Sequence, residues 1–189
     1  MRKLTITLGA VMLSLVQGAC ADRQTPTSPI ASGASASRSA AVDNDRAISA
    51  LDACDGPSFT AAQIDCSRQA GVKLDQFIAE LTARGSVGAW HFAASNINAF
   101  AGQTLDVTNR GGETHTFTEV AHFGGGIVPL LNQLSGNLTP APECLDLAGN
   151  DFIPSGATHH ATIDGEGTEL YQCCIHPWMR VVVNAKSHG

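Results

Sequence analysis

The stretch "YQCCIHPWMR", Tyr171 to Arg180, gathers two thiols, an imidazole and a thioether within ten residues. Cys173, His176 and Met179 have the spacing C-x-x-H-x-x-M, which puts a thiol at a strand end and two further donors on the tight loop after it. Upstream, "NRGGETHTF" sets His115 just past a glycine turn on a different strand. Two imidazoles, a thiolate and a thioether form a donor set with a defined use. Trigonal His₂Cys with a weak axial Met holds a copper ion that changes oxidation state with little rearrangement, since soft sulfur suits Cu(I) and imidazole suits both states. The adjacent thiols cannot share that duty, because side chains alternate across a strand and Cys173 and Cys174 face opposite ways.

Such donors need a rigid frame. After Gly85 the chain supplies "VGAWHF", "QTLDVTN", "THTFTEV", "THHATID", "ELYQCC" and "RVVVNA", short segments rich in β-branched and aromatic residues. Turn signals "AG", "RGG" and "DGEG" separate them, so residues 86–189 read as a mainly β domain, a sandwich or barrel of antiparallel strands. "HFGGGIVPLLNQLSGNLTPAPECLDLAGN" is a long irregular insertion between two strands. Residues 43–85 read as a helical, cysteine-containing extension. There Leu74, Phe77, Ile78 and Leu81 make one apolar stripe that Gly85 can end, and the expected role is structural packing.

On "NRGGETHTF" and "YQCCIHPWMRVVV" the chain resembles the cupredoxin (type 1 blue copper) family, with a plastocyanin- or amicyanin-like domain over residues 87–184. The short loop with Pro177 after the histidine is most similar to that of amicyanin. The resemblance implies a Greek-key sandwich holding one copper ion through His115, Cys173, His176 and Met179. It also implies an electron carrier, not an enzyme, with the ring edge of His176 near the surface as the electron's exit. The family's C-x-x-H spacing starts at Cys173; counting from Cys174 gives C-x-H and brings the ligands too close. With Cys173 assigned to metal and Cys20 set aside, Cys54, Cys66, Cys144 and Cys174 remain, and four cysteines allow three pairings. Cys54–Cys66 and Cys144–Cys174 are favoured, the second pinning the long insertion beside the metal loop. The extension and the insertion both depart from the minimal family pattern.

Other residues carry weaker signals. His91, His122, His159, His160 and His188 read mainly as surface or satisfied core residues, with His122 notable because "HFGGGIVP" can fold over the copper end. Asn109 is placed to tie the His115 hairpin to the ligand loop, and Trp178 with Pro177 to form an apolar docking patch around His176. At the start, "MRKLTITLGAVMLSLVQGACA" has a basic beginning, an apolar run and small residues, so residues 1–19 read as an export signal. Gly18-Ala19-Cys20 resembles a bacterial lipoprotein signal, with membrane anchoring through a lipidated Cys20; ordinary cleavage after Ala21 is the alternative. Residues 20–42, rich in Ser, Ala, Thr and Pro, read as a flexible linker. The expected location is periplasmic or lipid-anchored in a bacterium, and secreted otherwise.

A formal charge of −6 carries no basic face for nucleic acid. The chain has no H-x-H motif of the kind that signals the additional copper sites of oxidases and nitrite reductases. The leading expectation is an exported carrier of single electrons between redox partner proteins. A periplasmic copper carrier or store without electron transfer is the alternative, and a metal-free structural domain would make the four donors coincidental.

Overall fold

The computed structural model describes residues 47–187. The export signal, Cys20, the linker and His188 lie outside the described residues. Strand β1 is Ala47–Leu51, followed by helices α1, Gly56–Thr60, and α2, Leu74–Arg84. Then come β2 (His91–Phe92), β3 (Asn96–Phe100), β4 (Thr104–Asn109), β5 (His115–Thr116) and β6 (Thr118–Val120). Helix α3, Pro129–Ser135, and two short 3₁₀ turns lie in the insertion before β7 (Phe152–Ile153), β8 (Thr158–Thr162), β9 (Gly167–Gln172) and β10 (Arg180–Lys186).

The strands form two four-stranded sheets, ordered β2-β1-β4-β8 and β3-β10-β9-β6, and a small pair β5-β7. The mainly β architecture is as expected, but both large sheets are mixed. β1 runs parallel to β4 and β3 runs parallel to β10, while the other pairs are antiparallel. Period-two burial explains how the sheets meet. Val181, Val183 and Ala185 alternate inward on β10, Leu105 and Val107 on β4, Ile97 and Ala99 on β3, and all join one apolar core.

The extension differs from a purely helical reading. Its first described element is a strand, because Ile48 and Ala50 alternate inward with exposed or half-buried neighbours and pair beside Val107 and Asn109 of β4. Helix α2 does follow the 3.6-residue stripe: Phe77 and Leu81 are buried, and Gly85 ends the helix in the left-handed region with φ of 70°. Phe77 meets Phe59 and Trp90 with ring centroids 5.8 and 4.7 Å away. Both favoured disulfides, Cys54–Cys66 and Cys144–Cys174, are formed, and Cys173 is the free thiol among the described residues.

Candidate metal centre

Cys173 directly follows β9, and Met179 directly precedes β10, so His176 sits on a turn between two paired strands. Backbone hydrogen bonds close that turn: Met179 N–H donates to His176 at 2.9 Å and Cys173 N–H to Met179 at 3.0 Å. His115 opens β5, where it pairs with Ile153 of β7. The Cys173 sulfur lies 3.8 Å from Nδ1 of His115 and 3.8 Å from Nδ1 of His176. The two imidazole centroids are 5.1 Å apart. Thr116 N–H and His176 N–H each point at the sulfur from 3.4 Å. His115, Cys173, His176 and Met179 are all essentially buried, at 0%, 0%, 1% and 1% exposure.

These contacts set the electrostatics. Burial opposes ionisation of the Cys173 thiol, yet hydrogen bonding and charge from His115 and His176 outweigh it and hold the thiol well below its ordinary value. Burial likewise disfavours a charged His115, but its bond to Asp52 and its contact with Cys173 push it up to about 9. The pocket thus favours a thiolate facing two ring nitrogens. A soft sulfur anion with two imidazole nitrogens is a donor set that fits copper.

Two carboxylates escaped the sequence reading. Asp52 accepts a hydrogen bond from His115 Nε2 at 2.9 Å and also from the backbone of Cys54, Gly112 and Glu113. Burial raises its pKa, and these four donors more than reverse that, bringing it to about 2. Glu113 approaches His176 Nε2 at 3.6 Å and accepts from Trp90 Nε1 at 2.6 Å. Its pKa is raised, burial outweighing the nearby His176. The extension therefore reaches the site, contrary to its reading as packing alone. A signal for Asp52 existed: it continues the inward series Ile48, Ala50, and a buried carboxylate calls for partners. The grouping of Asp52, Cys54 and Glu113 offers no thiolate, because Cys54 is in its disulfide.

Other expectations shift. The ring of His176 is covered, where the resemblance implied an edge near the surface. Trp178 stands edge-on to it at 5.5 Å and also meets Phe77 at 6.0 Å, so this tryptophan is tied into packing with α2. Asn109 ties the hairpin inward, donating to Glu113 O and Ile153 O at 2.7 Å each, and thus braces β7 and not the 173–179 loop. His91, His122 and His160 are exposed, His159 is half-buried, and none joins a metal-ligating group among the described residues. His160 instead pairs with Asp106 at 2.7 Å. The "HFGGGIVP" segment does reach the ligand strand through Ile127 N–H, which donates to Cys174 O at 2.7 Å.

No protein-family model and no curated protein matches the chain. Among solved structures it is similar to a purple cupredoxin from Nitrosopumilus maritimus at 19% identity and TM-score 0.38, over 53% of this chain and 86% of that one. It is also similar to amicyanin from Paracoccus versutus (17% identity, TM-score 0.34, 53% and 77% covered). Plastocyanin from Dryopteris crassirhizoma matches at 19% identity and TM-score 0.35, with 53% and 93% covered. Those neighbours are cupredoxins. They are the group that the two sequence motifs resemble, while the metal reading rests on the side chains described above.

Proposed function

We propose that this protein is an exported mononuclear type 1 copper protein that passes single electrons between redox partner proteins. The observation that carries the reading is the buried Cys173 sulfur with two imidazole Nδ1 atoms each 3.8 Å away. His115, Cys173 and His176 would hold the ion, with Met179 as a weaker fourth donor. Bound copper supplies a reversible one-electron change. The chain's own part is to keep the donors in place: the closed 173–179 turn fixes three of them, and β5 paired to β7 fixes the other. Burial excludes water from the sulfur and protects it from oxidation. No substrate-transforming group is needed, so the protein is a carrier and not an enzyme. Two disulfides suit an oxidising compartment, which agrees with export. No helix among the described residues is long and apolar enough to cross a membrane, and attachment through a lipidated Cys20 belongs to the same proposal.

One observation favours a second reading. The His176 ring is only 1% exposed, behind Trp178 and Glu113, as suits a site that stores or carries copper without exchanging electrons. Visible and paramagnetic-resonance spectra of the copper-loaded protein, with voltammetry, separate the two. Electron transfer predicts an intense thiolate-to-copper band, lost in Cys173→Ser, and reversible one-electron reduction. Tight Cu(I) binding with neither property would overturn it in favour of storage, and an unchanged band in Cys173→Ser would overturn the ligand assignment.

A further inference from the structure

The site described so far has a second layer supplied from two places in the chain. Asp52 lies just past β1, on the inward side begun by Ile48 and Ala50, and its side chain is fully enclosed. One of its oxygens accepts from Cys54 N–H at 3.1 Å and Gly112 N–H at 2.9 Å; the other accepts from Glu113 N–H at 3.0 Å and His115 Nε2 at 2.9 Å. The glycines of "RGGE" are required for this closure. A Cβ on Gly111 would run into the Asp52 carboxylate, and one on Gly112 would lie 2.6 Å from the Cys54 sulfur. The turn that leads into His115 is thus built around an acid from the extension. Glu113, on the same turn, faces the other imidazole at 3.6 Å and is steadied by Trp90.

We infer that Asp52 and Glu113 are positioning residues of the metal centre, each set behind the Nε2 edge of one imidazole so that Nδ1 is presented to the Cys173 sulfur. This rests on the copper reading above. His115, donating Nε2–H to Asp52 at 2.9 Å, keeps its Nδ1 lone pair free to ligate and becomes a stronger donor, while Glu113 faces the His176 Nε2 edge from 3.6 Å, an ion-pair distance. The buried Asp52 carboxylate next to the site also favours the more positive state of a bound ion, so it holds the reduction potential down. The segment ahead of the sandwich is then a working part of the centre.

The test uses the copper-loaded exported chain and the variants Asp52→Asn, Asp52→Ala and Glu113→Gln, with Asp106→Asn as a control for overall charge. Cu(I) and Cu(II) affinities come from competition with chelators and the potential from voltammetry. Asp52→Ala is expected to lose about 10–100-fold in copper affinity. Asp52→Asn, which keeps an acceptor but not the charge, is expected to weaken Cu(II) about tenfold more than Cu(I), a rise of about 59 mV. Glu113→Gln should lower copper affinity by loosening the His176 ring, and the control should move neither affinity nor potential. Unchanged affinities and potential in either variant would remove that carboxylate from the role. Should the Asp52 variants fail to fold, nitrogen-15 histidine spectra of wild-type Cu(I) protein still decide its part: His115 must carry a slowly exchanging proton on Nε2, and its absence overturns the inference. A wild-type chain that takes up no copper would sink the functional reading itself, before any variant is compared.

Discussion

Removing the Cys144–Cys174 bond separates what that bond does for the fold from what it does for the site. It closes a loop of sequence separation 30, whereas Cys54–Cys66 closes one of 12. Restricting the unfolded chain by these loops gives about 3.6 kcal/mol for the longer bond and about 2.8 kcal/mol for the shorter. At about 2–4 °C per kcal/mol, the longer one corresponds to a melting shift of about 7–14 °C. The perturbation is alanine at both half-cystines, since serine would bury unpaired hydroxyls where the sulfurs are 0% exposed. Urea and thermal unfolding of the metal-free protein then compare the two pairs. The ligand geometry should survive the loss of Cys144–Cys174. Cys174 N–H still donates to Thr116 Oγ1 at 2.8 Å, and Thr116 N–H still points at the Cys173 sulfur. The copper-loaded variant should therefore keep the wavelength of its charge-transfer band. A stability loss under about 1 kcal/mol, or a larger loss from the shorter loop, would refute the loop-entropy reasoning.

Two further outcomes are expected. Gly126→Ala places a methyl group on the Cys174 carbonyl, which already accepts from Ile127 N–H, so chemical denaturation should show a loss of about 1–3 kcal/mol; unaltered stability would mean that the insertion does not press on the ligand strand. In the metal-free chain, Asp52 is lowered from 3.8 to about 2 and His115 raised from 6.5 to about 9. The Asp52 contribution is present above its unfolded value and fades as pH falls towards about 2, while the His115 contribution is present below pH 6.5 and fades as pH rises through about 9. The stability difference between the metal-free wild type and Asp52→Asn, in which the Cys173 contribution is common to both, should thus be greatest between about pH 3.8 and 6.5 and shrink on either side, and a difference that grows on the alkaline side would contradict the Asp52–His115 pairing.

Much of the sandwich was legible because its signals are local. Alternation in "RVVVNA" and "QTLDVTN" marks β10 and β4, and the stripe through Leu74, Phe77 and Leu81 marks α2. Strand β1 was not. Its five residues, "AISAL", carry two alanines and lie next to helix-forming sequence, and only parallel pairing with β4 makes them a strand. Parallel neighbours are fixed by tertiary contacts, so no turn sequence announces them. The same limit explains why the sheets were read as wholly antiparallel.

The site divides along the same line. Cys173, His176 and Met179 could be read from one loop, and His115 from a neighbouring motif, because ligand spacing is written in consecutive residues. Asp52 is 63 positions from the ring it holds, and an aspartate becomes informative only once its side of the strand is known to be buried. The coverage of His176 depends on three separate segments, since Phe77, Glu113 and Trp178 meet only in the folded chain. Burial also makes these parts mutually dependent. A carboxylate enclosed as completely as Asp52 is tolerable only while its four donors remain, and one of them is His115 itself. The extension therefore cannot be treated as a cover laid over a finished sandwich: β1 completes a sheet, and the acid at its end needs the imidazole as much as the imidazole needs the acid.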